Sequence, residues 1–181
     1  RVFYHELAHA NDFLPPRVWN TTSSSDYAWS YWDSNGSDSN GLSSAFPLSS
    51  NEMFGLASVM FHGEAASTTQ KNYTPQNVTN FFSLDDAVNT YNYSSIAEDY
   101  AMLTETFFMS YRYGVDYDAG ITGLAPDYNI TWAVRGRVGH ERIKPRVEYV
   151  VSRLLPSIDI QAGLASLPAP VLLQTGVNIV D

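Results

Sequence analysis

The residues best suited to chemistry lie near the start of the chain, in the segment His5-Glu6-Leu7-Ala8-His9. Residues four positions apart lie on the same face of an α-helix, so the two histidine rings can bind one metal ion together. Neutral imidazole is a common ligand of Zn²⁺, and Glu6 stands close enough to accept a proton from water as a general base. The segment therefore predicts zinc-assisted hydrolysis.

A zinc site of this kind needs a third protein ligand, and two patterns are known to supply one. The pattern HExxHxxGxxH is absent, because Asp12 and Pro15 occupy the positions of its glycine and third histidine. The other pattern places a glutamate on a second helix, and Glu98 stands in the first turn of a long helix predicted to follow Ser94-Ser95. We expect Glu98 to be the third ligand. Three other acidic residues remain alternatives for this position: Glu105, Asp99 and Asp127.

Several further side chains are candidates for supporting roles. A hydrogen-bond donor that stabilises the oxyanion of a tetrahedral intermediate is expected in such a site. The candidates for this donor are Tyr91, Tyr93 and His140. A ligand histidine usually donates its second N–H to a carboxylate or a carbonyl. Asp12, three residues after His9, and Glu105, seven residues after Glu98 on the same helix face, are candidates for that acceptor.

An HExxH segment followed by a glutamate on a second helix resembles the gluzincin group of zinc metallopeptidases. More narrowly, Glu98-Asp99-Tyr100-Ala101 is similar to the E-x-[FY]-A segment of peptidases related to the anthrax lethal factor catalytic domain. In that family a tyrosine seven residues before the glutamate ligand points at the metal site, and here that residue is Tyr91. The resemblance covers about 13 residues at the start of the chain and about 20 around Glu98.

The resemblance implies a zinc-dependent endopeptidase that acts on a protein or peptide substrate. It implies Zn²⁺ bound by His5, His9 and Glu98, with Glu6 as the general base. The family also places a small sheet, whose edge strand holds the substrate, before the HExxH helix. Because this chain begins at Arg1, we expect a processed or truncated chain whose upstream segment completes the domain.

The elements that must position these residues are predicted to be mainly helical. Helices are expected at residues 1–13, 51–62, from about 84, from 95 to about 113, and at 145–155. A long polar loop is expected at 20–50, a polar stretch at 64–80, one strand-like piece at 128–134, and an extended tail from Pro168. We therefore expect a mainly α (α+β) fold with little sheet. Residues 1–181 should form a single domain, the C-terminal part of a zincin-like metallopeptidase domain, with a loop insertion at about 17–50.

Composition excludes several other classes of protein. The chain has 181 residues, with 10 Lys and Arg against 19 Asp and Glu, which gives a formal net charge of −9. So acidic a chain lacks a broad basic surface, and we expect no nucleic-acid partner. It has no cysteine, which excludes disulfides and a thiolate metal site. No apolar run reaches the roughly 18 residues of a membrane helix, so no membrane span is expected. The acidic, cysteine-free composition favours a secreted or periplasmic protein.

The Ser- and Asn-rich segment carries two alternative interpretations. Asp33-Ser34-Asn35-Gly36-Ser37-Asp38-Ser39-Asn40-Gly41 has oxygen ligands at alternate positions, which suits Ca²⁺, but it lacks the glycine and the bidentate glutamate of a calcium loop. The polar loop expected at 20–50 also holds Trp29, Tyr31 and Trp32, which could form the binding surface of a non-catalytic extracellular binding module. In that hypothesis the two histidines hold a structural or vestigial metal site.

Overall fold

The computed structural model of the chain describes residues 1–16 and 37–178. Its helices are α1 (Val2–Phe13), α2 (Asp38–Ala45), α3 (Asn51–Phe61), α4 (Thr68–Lys71), α5 (Pro75–Ser83), α6 (Ile96–Tyr113), α7 (Lys144–Leu154) and α8 (Ile160–Ser166). Its strands are β1 (Asp118–Thr122), β2 (Ile130–Arg135) and β3 (Val171–Leu172), and two 3₁₀ turns span Thr90–Tyr93 and Arg137–Gly139. The fold is mainly helical with a small sheet, which confirms the predicted class.

Helix α6 is the centre of the structure, and α1, α2 and α7 pack against it. It begins where the Ser95 side chain accepts a hydrogen bond from the Glu98 N–H, and it ends at Gly114, which adopts the left-handed conformation at φ 62°. Tyr100, Leu103 and Phe107 of α6 are completely buried in the main core. The glutamate predicted to bind metal therefore stands in the first turn of the most buried helix.

The three strands form an antiparallel sheet in the order β1-β2-β3. Asp118 lies opposite Arg135 in the β1–β2 register, and the guanidinium Nε and Nη2 each donate to that carboxylate at 2.7 Å. The sheet packs against α5, and Ala119 joins Phe82 and Met53 in a second, smaller core. The sequence indicated one strand-like piece here, and the structure adds β1 and the short β3.

Helices α1, α3, α6 and α7 confirm the predictions for residues 1–13, 51–62, 95–113 and 145–155 within two residues at each end. The tail from Pro168 includes the short strand β3, as expected of an extended segment. Within the described residues, no helix is both long enough and apolar enough to cross a membrane.

The sequence-based assignment of helices was wrong or incomplete at four places. The loop predicted to end at residue 50 includes helix α2, which begins where Ser37 accepts a hydrogen bond from the Asn40 N–H. The polar stretch 64–80 contains α4 and most of α5, each opened by a reciprocal capping box. Leu84 ends α5 instead of beginning a helix. Helix α8 was not predicted. The remainder of the predicted loop, residues 17–36, lies outside the described residues.

Candidate metal centre

Three side chains from α1 and α6 meet in one group. His5 and His9 lie one helical turn apart on the face of α1 that packs against α6, and Glu98 projects from the first turn of α6. Ala8, between the two histidines, is completely buried, and so small a residue lets the two helices approach closely. In the described part of the chain, His5, His9 and Glu98 form the group whose ligand atoms can hold a metal ion.

The three ligand atoms form a triangle of the size that zinc requires. The His5 Nε2 atom is 3.2 Å from His9 Nε2 and 2.9 Å from Glu98 Oε2, and the His9 Nε2 atom is 3.5 Å from Glu98 Oε2. Ligand atoms at about 2.0–2.1 Å from a tetrahedral zinc ion lie about 3.3 Å from one another. The sides of the triangle match this separation, and the donor set of two imidazoles and one carboxylate is that of catalytic zinc sites.

One buried oxygen of this group lacks a hydrogen-bond partner among the described residues. Glu98 Oε2 is buried and accepts no hydrogen bond of normal geometry from the described residues, although the histidine nitrogens are close. A buried carboxylate oxygen without a partner is costly, and convergent lone pairs add to that cost. One cation bound between the three atoms removes both costs, so the residues present fit a zinc ion.

The carboxylate of Glu105 orients the ring of His5. Its Oε2 lies 3.3 Å from His5 Nδ1, close enough to accept a hydrogen bond from Nδ1–H and leave Nε2 for a metal ion. Glu105 is buried, as is Asp99 of the same helix. The structure therefore places Glu105 beside His5, one of the predicted metal ligands, which is the arrangement that its spacing from Glu98 predicts.

Tyr91 is the tyrosine that reaches this group. Its ring stacks against His5 with centroids 6.1 Å apart, and the Phe61 ring meets it edge-on at 4.9 Å. Burial raises the pKa of Tyr91, and the neighbouring Glu98 raises it further by its charge and by a hydrogen bond with the hydroxyl. The Glu6 charge acts in the same direction on this pKa, so Glu6 and Tyr91 face the same space. The Tyr91 hydroxyl stays protonated and can donate a hydrogen bond.

A cleft of about 540 Å³ opens beside the group. His5, the exposed Glu6, Tyr91 and Glu105 are among the residues that line it. Its lining also includes apolar and aromatic side chains, which are Val2, Met60, Phe61, Met102 and Tyr117. Sequence reasoning missed these residues, because nothing in the spacing of α3 or of the segment before β1 indicates that they share a cleft with α1.

The structure does not bring Tyr93 or His140 to the group formed by His5, His9 and Glu98. Tyr93 is buried, and its hydroxyl donates to Asp85 Oδ2 at 3.0 Å; burial and the Asp85 charge raise its pKa. His140 is exposed just before α7, where its Nδ1 accepts from the Arg142 N–H, and it does not line the cleft. Successive residues of a 3₁₀ turn point in different directions, so only Tyr91 of the two tyrosines faces the histidines.

The other acidic candidates also have different partners. Asp99 is buried against Arg146 in an ion pair, and Asp127 lies in the turn between β1 and β2. Asp12 is buried and accepts a hydrogen bond from the Ser39 N–H at 2.7 Å, so it fastens α2 to α1. Burial raises the pKa of Asp12, although the Ser39 hydrogen bonds lower it. Glu98 is therefore the acidic residue that completes the triangle.

Comparison with known proteins returns no family model, no curated protein and no solved structure that matches this chain. The residues of the proposed binding surface, Trp29, Tyr31 and Trp32, lie outside the described residues, as do positions 33–36 of the calcium candidate. The described remainder of that candidate, from Asp38 to Gly41, is helical rather than looped. Calcium in this segment stays a prediction without structural support.

Proposed function

We propose that this chain carries the catalytic centre of a zinc-dependent endopeptidase with a gluzincin-like ligand set. The observation that carries the proposal is the triangle of His5 Nε2, His9 Nε2 and buried Glu98 Oε2, with sides of 2.9, 3.2 and 3.5 Å. A general base and a phenolic donor stand at the same cleft, which a purely structural metal site does not require. In the described residues the group has three members, which leaves a fourth position for water or substrate.

Each residue around the group has a separate role in the proposed hydrolysis of a peptide bond. Glu6 accepts a proton from the attacking water and passes it to the leaving amine. The protonated Tyr91 hydroxyl donates a hydrogen bond to the carbonyl oxygen as negative charge develops there. Glu105 holds the His5 ring in the tautomer that presents Nε2. Zn²⁺ in such a site acidifies water and polarises a carbonyl group.

The first test is the metal content of the purified chain, measured by elemental analysis after reconstitution. We expect about one zinc per chain for the wild type, because three ligand atoms are already in place. Glu98→Ala should lose most of this zinc. Glu141→Ala is the matched control, because it removes an exposed glutamate whose partner is Lys144. A folded wild-type chain that takes up no zinc would overturn the proposal.

The second test separates catalysis from metal binding. Glu6→Gln should keep the zinc and lose hydrolysis of fluorescently labelled casein, because an amide cannot accept the proton of water. Glu52→Gln, at an exposed position in the first turn of α3, is the control and should hydrolyse casein like the wild type. Zinc binding with normal hydrolysis by Glu6→Gln would exclude this mechanism. Zinc binding without any hydrolysis in the wild type would favour the non-catalytic binding module.

A further inference from the structure

The side chains of two asparagines, Asn89 and Asn92, hydrogen-bond to the backbone of the turn that contains Tyr91. The Tyr91 N–H donates to Asn89 Oδ1 at 2.9 Å, and the Asn89 N–H donates to Asn92 Oδ1 at 2.8 Å. The bond between the Asn89 N–H and Asn92 belongs to a capping box of Asn89 and Asn92 at the start of the Thr90–Tyr93 turn. The backbone position of Tyr91 is therefore tied to the side chain of Asn92, which is 1% exposed.

The other end of the Asn92 amide reaches the helix that carries Glu98. Asn92 Nδ2 donates to Asp99 Oδ1 at 2.7 Å, and Asp99 is the neighbour of Glu98 on α6. The second oxygen of Asp99 pairs with Arg146, a buried arginine of α7. Arg146 also donates to the Asp86 carbonyl oxygen at 2.8 Å, on the segment that leads into the turn.

These contacts connect the turn that carries Tyr91 to the helix that carries Glu98. Tyr91 lies on the turn and Glu98 on α6, and the Asn92–Asp99 hydrogen bond joins the two elements one residue away from each. Hydrogen bonds to a charged group are shorter and stronger than those between neutral groups. The Asn92–Asp99 hydrogen bond, here called the brace, therefore links the turn that carries Tyr91 to the helix that carries Glu98.

We propose that Asn92 is a positioning residue that acts through Tyr91, holding its hydroxyl at the metal group by bracing the turn against Asp99. The inference rests on the proposed function for its catalytic consequence, but the placement of the Tyr91 ring is testable without any catalysis. A residue that merely caps a turn would affect stability and leave the Tyr91 ring and its chemistry unchanged.

The chain offers a matched control for the cap. Asn77 occupies the same position in the capping box of α5, where its Oδ1 accepts from the Thr74 N–H at 2.9 Å. Asn77 is exposed, whereas Asn92 is buried against a carboxylate. Asn77→Ala therefore removes a capping amide of the same kind at a site remote from α6.

The test variant is Asn92→Asp. It keeps the oxygen that accepts from Asn89 but replaces the amide donor toward Asp99 by a second carboxyl oxygen. Because two adjacent buried carboxyl groups can share a proton, the spectra are recorded at about pH 9, where the pair is ionised, the cap survives and the brace is broken. Exchanging the two residues, in Asn92→Asp with Asp99→Asn, returns a donor to the pair. This second variant keeps the proposal falsifiable if the single variant fails to fold.

The first readout is fluorine NMR of the chain labelled with 3-fluorotyrosine, with the Tyr91 resonance assigned by its absence in Tyr91→Phe. In the wild type this resonance should be displaced by the adjacent Phe61 and His5 rings, and it should move again when Zn²⁺ alone is added. Asn92→Asp should shift it toward the exposed tyrosines, the exchanged pair should restore it, and Asn77→Ala should leave it in place. An unchanged Tyr91 resonance in folded Asn92→Asp would overturn the proposal.

The second readout is a double-mutant cycle on casein hydrolysis. Asn92→Asp should lower kcat about tenfold with zinc affinity unchanged, because a misplaced group loses much of its effect. If Asn92 acts through Tyr91, combining Asn92→Asp with Tyr91→Phe should cost no more than Tyr91→Phe alone. Additive losses would overturn the proposal. A wild type that hydrolyses nothing would instead contradict the proposed function, while the fluorine spectrum would still decide the role of Asn92.

Discussion

Each of the two ring nitrogens of His5 contacts a different glutamate. Nε2 lies 2.9 Å from Glu98 and Nδ1 lies 3.3 Å from Glu105, so one ring contacts both the proposed metal position and a buried carboxylate. Because the acceptor selects the tautomer and raises the basicity of the ring, we predict that Glu105→Ala weakens zinc binding about 10- to 100-fold. Competition with a chelating dye measures this affinity.

Glu141→Ala is the control for that measurement, since Glu141 is exposed and pairs only with Lys144 among the described contacts. Its affinity for zinc should equal that of the wild type. Equal affinities for Glu105→Ala and Glu141→Ala would show that the 3.3 Å contact between Glu105 and His5 has no effect on the metal.

At the residue scale, the sequence predicts what helical periodicity determines and no more. His5 and His9 share a face because they are four residues apart, and the capped start of α6 places Glu98 in its first turn. The choice between Tyr91 and Tyr93 depends instead on tertiary partners. Asp85 accepts a hydrogen bond from the Tyr93 hydroxyl within the irregular connection between α5 and α6, whose path no local pattern indicates.

At the element scale, Asp85 fastens the start of α3 to the segment before the Tyr91 turn. Its Oδ2 accepts the N–H groups of Ser49 and Ser50, both at 2.9 Å. Burial raises the pKa of Asp85, but these hydrogen bonds and those from Asp86 and Tyr93 outweigh burial and leave the pKa lowered. We predict that Asp85→Asn costs about 3 kcal/mol of unfolding free energy at pH 7, since an amide cannot accept all these bonds.

The pH dependence of this cost has a definite sign. A carboxyl group whose pKa is lower in the folded state stabilises the fold above its unfolded pKa of about 3.9 and loses that effect at lower pH. The difference in unfolding free energy between wild type and Asp85→Asn should therefore be full at pH 7 and shrink below about pH 4. Urea unfolding at several pH values measures it. Asp159→Asn, at the exposed cap of α8, should show little difference at either pH.

Helices with a periodic apolar face could be predicted from the sequence, whereas short polar helices that depend on side-chain caps could not. Helix α6 combines a serine cap, a buried stripe and a glycine end, and its bounds follow from the sequence. Helix α2, with the sequence DSNGLSSA, has little helical propensity, and Ser37 together with Asp12 of α1 supplies the hydrogen bonds that define its first turn. Tertiary contacts from a distant segment decide such helices, so local reasoning predicts a loop.

At the scale of the whole molecule, Gly139 lets the C-terminal segment approach the core. A Cβ atom at this position would overlap the carbonyl oxygen of Pro168, which is backbone and cannot rotate away. We predict that Gly139→Ala lowers the unfolding free energy by about 2–3 kcal/mol, because the overlap must push the segment after Leu167 outward. Gly123→Ala is the control, since its Cβ would come no closer than 3.8 Å to a neighbouring atom. Equal urea midpoints for the two variants would contradict this account.

Zinc should also act on the stability of the molecule, because its proposed ligands come from α1, at the start of the described residues, and from α6, at their centre. An ion that joins the two helices binds only the folded chain, so free zinc at 100 times its Kd should add about 2.7 kcal/mol and raise Tm by about 5–10 °C. Calorimetry of wild type and Glu98→Ala measures this effect. Mg²⁺, which prefers oxygen ligands, should leave the Tm of both chains unchanged. A Tm that rises equally with zinc in both chains would place the ion elsewhere than between α1 and α6.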